Sequence, residues 1–199
     1  MFANIITLSR LLLTFVVISV FGWSRPVDIA VIFTIAGIFI LDALDGIVAR
    51  QRDETSKLGE VLDTLADRIV ENTFWIYFTA SGHLNVLMPI AVMVRGFITD
   101  SLQRFWGYPK SGWRYALTRS RPSRALSGLT KMLAFTSLAG AQVFTNSVLD
   151  TASLVLASIA IGVCLLRGLP FFFTRLRTQT EKQKHRAPEN GDRNLIARD

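Results

Sequence analysis

Residues 27–67 read VDIAVIFTIAGIFILDALDGIVARQRDETSKLGEVLDTLAD, and this stretch decides the fold. It opens as an apolar run of membrane-crossing length, since about 20 residues rising 1.5 Å each span the hydrocarbon of a bilayer. Near the end of that run stand Asp42 and Asp45, spaced i, i+3. A short basic connection follows, with Arg50, Arg52 and Lys57. The next segment, EVLDTLADRIVENTFWIYFTA at 60–80, begins with Asp63 and Asp67, spaced i, i+4. Both spacings put a pair of carboxylates on one helix face. Counted from the connection, each pair lies roughly 6–12 Å into its helix. Two antiparallel helices therefore present four carboxylates in one shallow layer, near headgroup depth.

Working outward, the rest of the chain repeats the apolar pattern. Of 199 residues, 50% are hydrophobic and 19% charged, which excludes a disordered chain. Apolar segments at about 4–22, 27–49, 60–80, 84–105, 125–146 and 149–174 predict an all-α integral membrane protein of six transmembrane helices. The first is read as a retained helix rather than a cleaved leader, because Arg10 interrupts the run and no A-x-A-like site follows. Lysine and arginine crowd three connections: 50–59, 104–124 and the tail from Arg175, which alone holds seven. The intervening turns at 22–26, 81–83 and 147–148 hold only Arg25. This alternation places both termini in the cytoplasm. Residues 1–174 then form the membrane domain, and 175–199 a basic, disordered cytoplasmic tail attracted to anionic lipid.

Composition also limits the chemistry. The single cysteine, Cys164, excludes a disulfide framework, and two histidines 102 positions apart, His83 and His185, argue against a zinc site. The net charge of +7 asks for an anionic partner, which a membrane surface and a phosphorylated substrate satisfy without nucleic acid. Four carboxylates cannot share a low-dielectric layer uncompensated. They are either largely protonated or neutralised by cations, and all-oxygen ligation points to Mg²⁺ or Mn²⁺. Such ions keep positions open for phosphate, so a phosphate-bearing substrate at the membrane surface follows. The plainer reading makes the aspartates capping or packing residues, Gly46 and Gly59 points of close helix approach, and Arg50 a snorkelling side chain.

The order Asp42-x₂-Asp45-Gly46-x₂-Ala49-Arg50-x₈-Gly59-x₃-Asp63-x₃-Asp67 resembles the signature of the CDP-alcohol phosphotransferases, with all eight fixed positions present. The opening NIITLSRLLLT is similar to that family's first helix. The resemblance implies an enzyme that displaces CMP from a CDP-linked lipid with the hydroxyl of a polar alcohol. It implies a metal site, commonly of two ions, at Asp42, Asp45, Asp63 and Asp67, with Asp67 as general base. It places Gly46, Ala49, Arg50, Ser56 and Gly59 at the CDP end. It further implies a homodimer, in the inner membrane of a bacterium, with the active site facing the cytoplasm.

The acceptor is read from the remaining cations. Arg95 and Lys131 lie inside apolar runs, while Arg121 and Arg124 border the basic loop; together they suit a phosphorylated alcohol. The stretches VRGFITDSLQRFW and SGLTK loosely resemble the phosphatidylglycerophosphate synthase branch and depart from it at Gly96, Leu129 and Met132. Glycerol 3-phosphate is the expected acceptor, with inositol phosphate or another polar alcohol as the alternative. A catalytically silent scaffold and a divalent-cation transporter are the competing functional classes. Glu71 is read as a partner of Arg68 or Arg95. Trp23, Trp75 and Trp106 are read as interfacial anchors, and Cys164 as a packing or lipid-facing position.

Overall fold

A computed structural model of the protein describes residues 2–51, 57–106, 112–118 and 120–186. Every regular element among them is helical: α1 (Phe2–Val20), α2 (Arg25–Gln51), α3 (Lys57–Ala80), α4 (Leu87–Trp106), α5 (Gly112–Thr118), α6 (Arg121–Val143) and α7 (Ser147–Arg186). Six of these follow the predicted apolar segments in order. The short α5 falls in the basic connection, where seven residues are too few to show a helical period. The seventh helix runs past 174 to Arg186, and residues 187–199 lie outside the described residues.

The turns are built from local chemistry. After α3, Gly82 takes φ +82°. Its N–H donates to the Thr79 carbonyl and that of His83 to the Phe78 carbonyl, each at 3.0 Å. This is a Schellman ending, in which a residue without Cβ enters the left-handed region at no steric cost. Asn85 and Asn146 each accept a backbone N–H two residues on, at 2.9 Å, and so start α4 and α7. Ser120 caps α6 and Pro122 sits in its first turn, where a missing N–H costs nothing.

Helices α6 and α7 pack most extensively, and both bury small residues, among them Ala134 and Ala141 of α6 and Ala157 and Ala160 of α7. Small side chains let two backbones approach closely, the usual solution where lipid removes the hydrophobic drive between helices. Helix α1 packs against both α2 and α3, and α4 packs against α3 and α7. At the centre, Phe135 meets Trp75 edge-on at 4.6 Å, Phe74 at 5.3 Å and Phe39 at 5.6 Å. Trp75 is therefore not an interfacial anchor. It is 1% exposed, because α3 continues more than a turn beyond it and turns that face toward α6. Trp23 is 73% exposed, next to the turn after α1, and the side chain of Trp106 lies outside the described residues.

Large apolar side chains also cover the outer faces, including Leu8, Leu12, Phe33, Phe97 and Val148. By length and composition one helix, Ser147–Pro170, is apolar enough to cross a membrane, and Ile5–Val20 is a shorter apolar helix. The others carry more charge, and much of that charge points inward. Truncating Phe135 to Ala should cost about 3–5 kcal/mol, because the cavity left among four aromatic neighbours cannot collapse. The measurement is the loss of thermal stability in detergent, with Phe144→Ala, at a half-exposed helix end, changing it little.

Candidate active site

The carboxylate layer assembles from two helices. Asp42 of α2 and Asp63 and Asp67 of α3 bring carboxylate oxygens within 4.8 Å of one another. Asp63 and Asp67 share a face because they are one helical turn apart. Asp42 joins them although α2 and α3 are held together chiefly through α1. Asp45, Gly46, Ala49 and Arg50 lie on the helical backbone of α2, but their side chains are outside the described residues, as is Ser56 altogether. Gly59 stands half-buried in the first turn of α3. Three oxygen donors at this spacing fit a hard divalent ion, which prefers carboxylates and makes no demand for sulfur or imidazole.

A residue to which the sequence assigned no role completes this layer. Arg10, midway along α1 and 2% exposed, reaches Asp42 at 2.5 Å, Asp67 at 2.9 Å and Asp63 at 3.9 Å. An arginine inside an apolar run was the visible signal. Its partners, 57 positions away in the case of Asp67, were not.

The same carboxylates line a cavity of about 430 Å³, within the range of small-ligand sites. Its other walls come from α3, α4, α6 and α7 and carry Arg68, Arg95, Arg124, Lys131 and Arg167. Two of these cations are neutralised internally. Arg68 donates Nε and Nη2 to the two oxygens of Asp100, both at 2.9 Å, and lies 3.7 Å from Glu71. Lys131 Nζ donates to Glu71 Oε2 at 2.6 Å. Glu71 thus pairs with Arg68, as expected, and more closely with Lys131, a contact 60 positions apart in the chain. Cys164 is buried and lines the same cavity.

Arg95, Arg124 and Arg167 pair with no carboxylate among the described residues. Nε of both Arg95 and Arg167 is buried without a partner, while Arg167 Nη2 donates to the Thr118 carbonyl of α5 at 3.1 Å. Gly168 lets Arg95 pass: a Cβ there would sit 2.9 Å from Arg95 Nε and 3.0 Å from its Cγ. Of the four cations expected at the acceptor, Arg95, Arg124 and Lys131 line the cavity, whereas Arg121 is exposed at the start of α6 and does not. Arg167 was missed because an arginine in the last third of an apolar segment looks like any flanking positive charge.

A family model described as CDP-alcohol phosphatidyltransferase matches residues 1–178. The CDP-diacylglycerol--glycerol-3-phosphate 3-phosphatidyltransferase of Blochmanniella floridana is 32% identical over 103 residues, covering 49% of this chain and 53% of that protein. The match therefore spans about half the length of that curated relative.

Removing one member of the buried Glu71–Lys131 pair leaves an uncompensated charge, so Glu71→Leu should destabilise the protein by about 3–5 kcal/mol. Adding Lys131→Met to that variant should recover most of the loss. Chemical or thermal unfolding of the single and double variants in detergent measures both.

Proposed function

The chain belongs to the CDP-alcohol phosphatidyltransferase family, and from that premise we propose that it is a phospholipid-synthesis transferase displacing CMP from CDP-diacylglycerol. The acceptor in this reading is glycerol 3-phosphate, in keeping with the name of the Blochmanniella floridana relative. One observation carries the proposal. A single cavity is lined both by a carboxylate cluster, Asp42, Asp63 and Asp67, and by Arg95, Arg124 and Arg167, which make no ion pair among the described residues. The first suits a metal-bound diphosphate, and the second a phosphorylated alcohol held by charge-assisted hydrogen bonds.

In this mechanism Asp42, Asp45, Asp63 and Asp67 would hold Mg²⁺ or Mn²⁺, two ions in all, which when bound would supply positive charge to the donor diphosphate and to departing CMP. Gly46, Ala49, Arg50, Ser56 and Gly59 receive the CDP end, their small residues letting the nucleotide approach the α2 and α3 backbone. Arg95 and Arg124 anchor the acceptor phosphate, with Arg121 and Lys131 contributing charge around it, so that the free hydroxyl points at the carboxylate cluster. Asp67 takes the hydroxyl proton. The hydroxyl oxygen then bonds to the phosphatidyl phosphorus as the bond from that phosphorus to the CMP oxygen breaks. Six helices cross the membrane, both termini and the cavity mouth face the cytoplasm of a bacterial inner membrane, and the protein acts as a homodimer.

The charge distribution supports this reading over a cation transporter. A transport path needs acids or polar groups across the bilayer, whereas these carboxylates cluster in a cavity that is also lined by Arg95, Arg124 and Arg167. A different polar alcohol, such as inositol phosphate, fits the same arrangement and is separated by experiment. The detergent-purified protein, given CDP-diacylglycerol, Mg²⁺ or Mn²⁺ and a panel of acceptors, should release CMP fastest with glycerol 3-phosphate. Asp67→Asn should lower that release by about 10²–10⁴-fold while leaving the fold intact. Release with inositol 1-phosphate alone would reassign the acceptor, and release with none would favour a silent scaffold. Arg124→Ala should raise the acceptor KM with little change in thermal stability, because Arg124 is exposed and makes no ion pair among the described residues.

A further inference from the structure

Arg10 stands where its charge bears directly on the carboxylate layer. Its guanidinium is 2% exposed, in a helix whose neighbouring residues are mostly apolar, and its Nη1 and Nη2 reach separate aspartates at 2.5 and 2.9 Å. A charge so desolvated stays only where opposite charge compensates it. The compensating groups come from two other helices, so Arg10 ties α1 to α2 and α3 through the candidate metal ligands themselves. It engages Oδ1 of Asp42 and Oδ1 of Asp67. A carboxylate has two oxygens and about four lone-pair directions. The guanidinium therefore orients both side chains and still leaves each an oxygen.

Its positive charge opposes any dication drawn to the same group. Resting on the reading of the aspartates as a metal centre, we propose that Arg10 is a positioning residue: a resident counter-ion that preassembles Asp42 and Asp67 and, by charge competition, lowers the affinity of the centre for divalent metal. Two effects of removing the guanidinium oppose each other. Two aspartate side chains regain rotamer freedom, which weakens binding, and a fixed positive charge a few Å from the ion disappears, which strengthens it. Short side chains such as Asp have little freedom to lose, while charge–charge terms at contact distance are large even at a high effective dielectric constant. The electrostatic effect wins, and the centre without Arg10 binds metal more tightly. Weak binding has a use here, since a centre already neutralised in part can release its product complex without holding the ions too strongly.

The test is Mn²⁺ titration of the full-length protein in detergent, with free Mn²⁺ followed by electron paramagnetic resonance. Arg10→Gln should bind Mn²⁺ about tenfold more tightly or better, as loss of a nearby unit charge requires. Arg10→Lys, which keeps the charge, should retain the weaker affinity. Unchanged or weakened binding in Arg10→Gln, with wild type binding normally, overturns the proposal and leaves the metal reading standing. Absence of Mn²⁺ binding in wild type and both variants overturns the metal reading and this inference with it. Thermal unfolding in chelator covers the case where Arg10→Gln folds poorly. The single variant should melt well below wild type, and adding Asp42→Asn should recover part of the loss by removing the carboxylate left without its cation. A double variant no more stable than Arg10→Gln would show that Arg10 acts through packing alone, and would overturn the counter-ion role.

Discussion

A buried guanidinium shared among carboxylates from two helices is the constraint on which the site depends. Arg10 has no water to solvate it and accepts no hydrogen bond, so it must meet Asp42 and Asp67 wherever they stand. This sets the register of α1 against both α2 and α3. The carboxylate layer follows from that register: the three aspartate side chains converge because one cation holds the two helices that carry them. A shift of one residue in α1 would turn the guanidinium toward lipid and leave the acidic groups facing one another.

The remaining charges of the helical bundle divide by whether they are paired. Arg68 with Asp100, and Lys131 with Glu71, join α3 to α4 and to α6 by short charged contacts. These pairs fix helix positions, and they withdraw two cations from direct use by a ligand. Arg95, Arg124 and Arg167 line the same cavity as the aspartates and make no ion pair among the described residues. The cavity thus carries both a carboxylate cluster and a set of guanidiniums, with the paired residues in its walls as framework. A substrate pair bearing a metal-bridged diphosphate and a second phosphate matches that combination. A uniformly acidic or uniformly basic pocket would not.

Several parts of this arrangement were legible in the residues. Apolar runs of membrane length gave the six long helices in order, since a repeating requirement of length and hydropathy writes itself directly into the chain. The family was legible as a resemblance, because the motif running from Asp42 to Asp67 is a contiguous stretch whose likeness to a known signature needs no tertiary information. Trp75 was misplaced for the opposite reason. Nearness to a segment end said nothing about which face meets α6, where Phe135 waits at 4.6 Å. Helix α5 escaped because seven residues show no periodicity, and its junction with α7 depends on a hydrogen bond from Arg167 spanning 49 positions.

The helical architecture and the carboxylate set suited to a divalent ion are written in periodicity and local spacing, and the family in a motif that resembles a known signature. Only the tertiary structure decided the partners of the buried charges. Arg10 and Lys131 each read as a lone cation in an apolar run, and nothing local distinguishes one that completes a carboxylate layer from one that locks Glu71. That difference arises from desolvation. For Arg10 and Lys131 the compensating carboxylates Asp67 and Glu71 lie on another helix 57 and 60 positions away, brought near by packing alone.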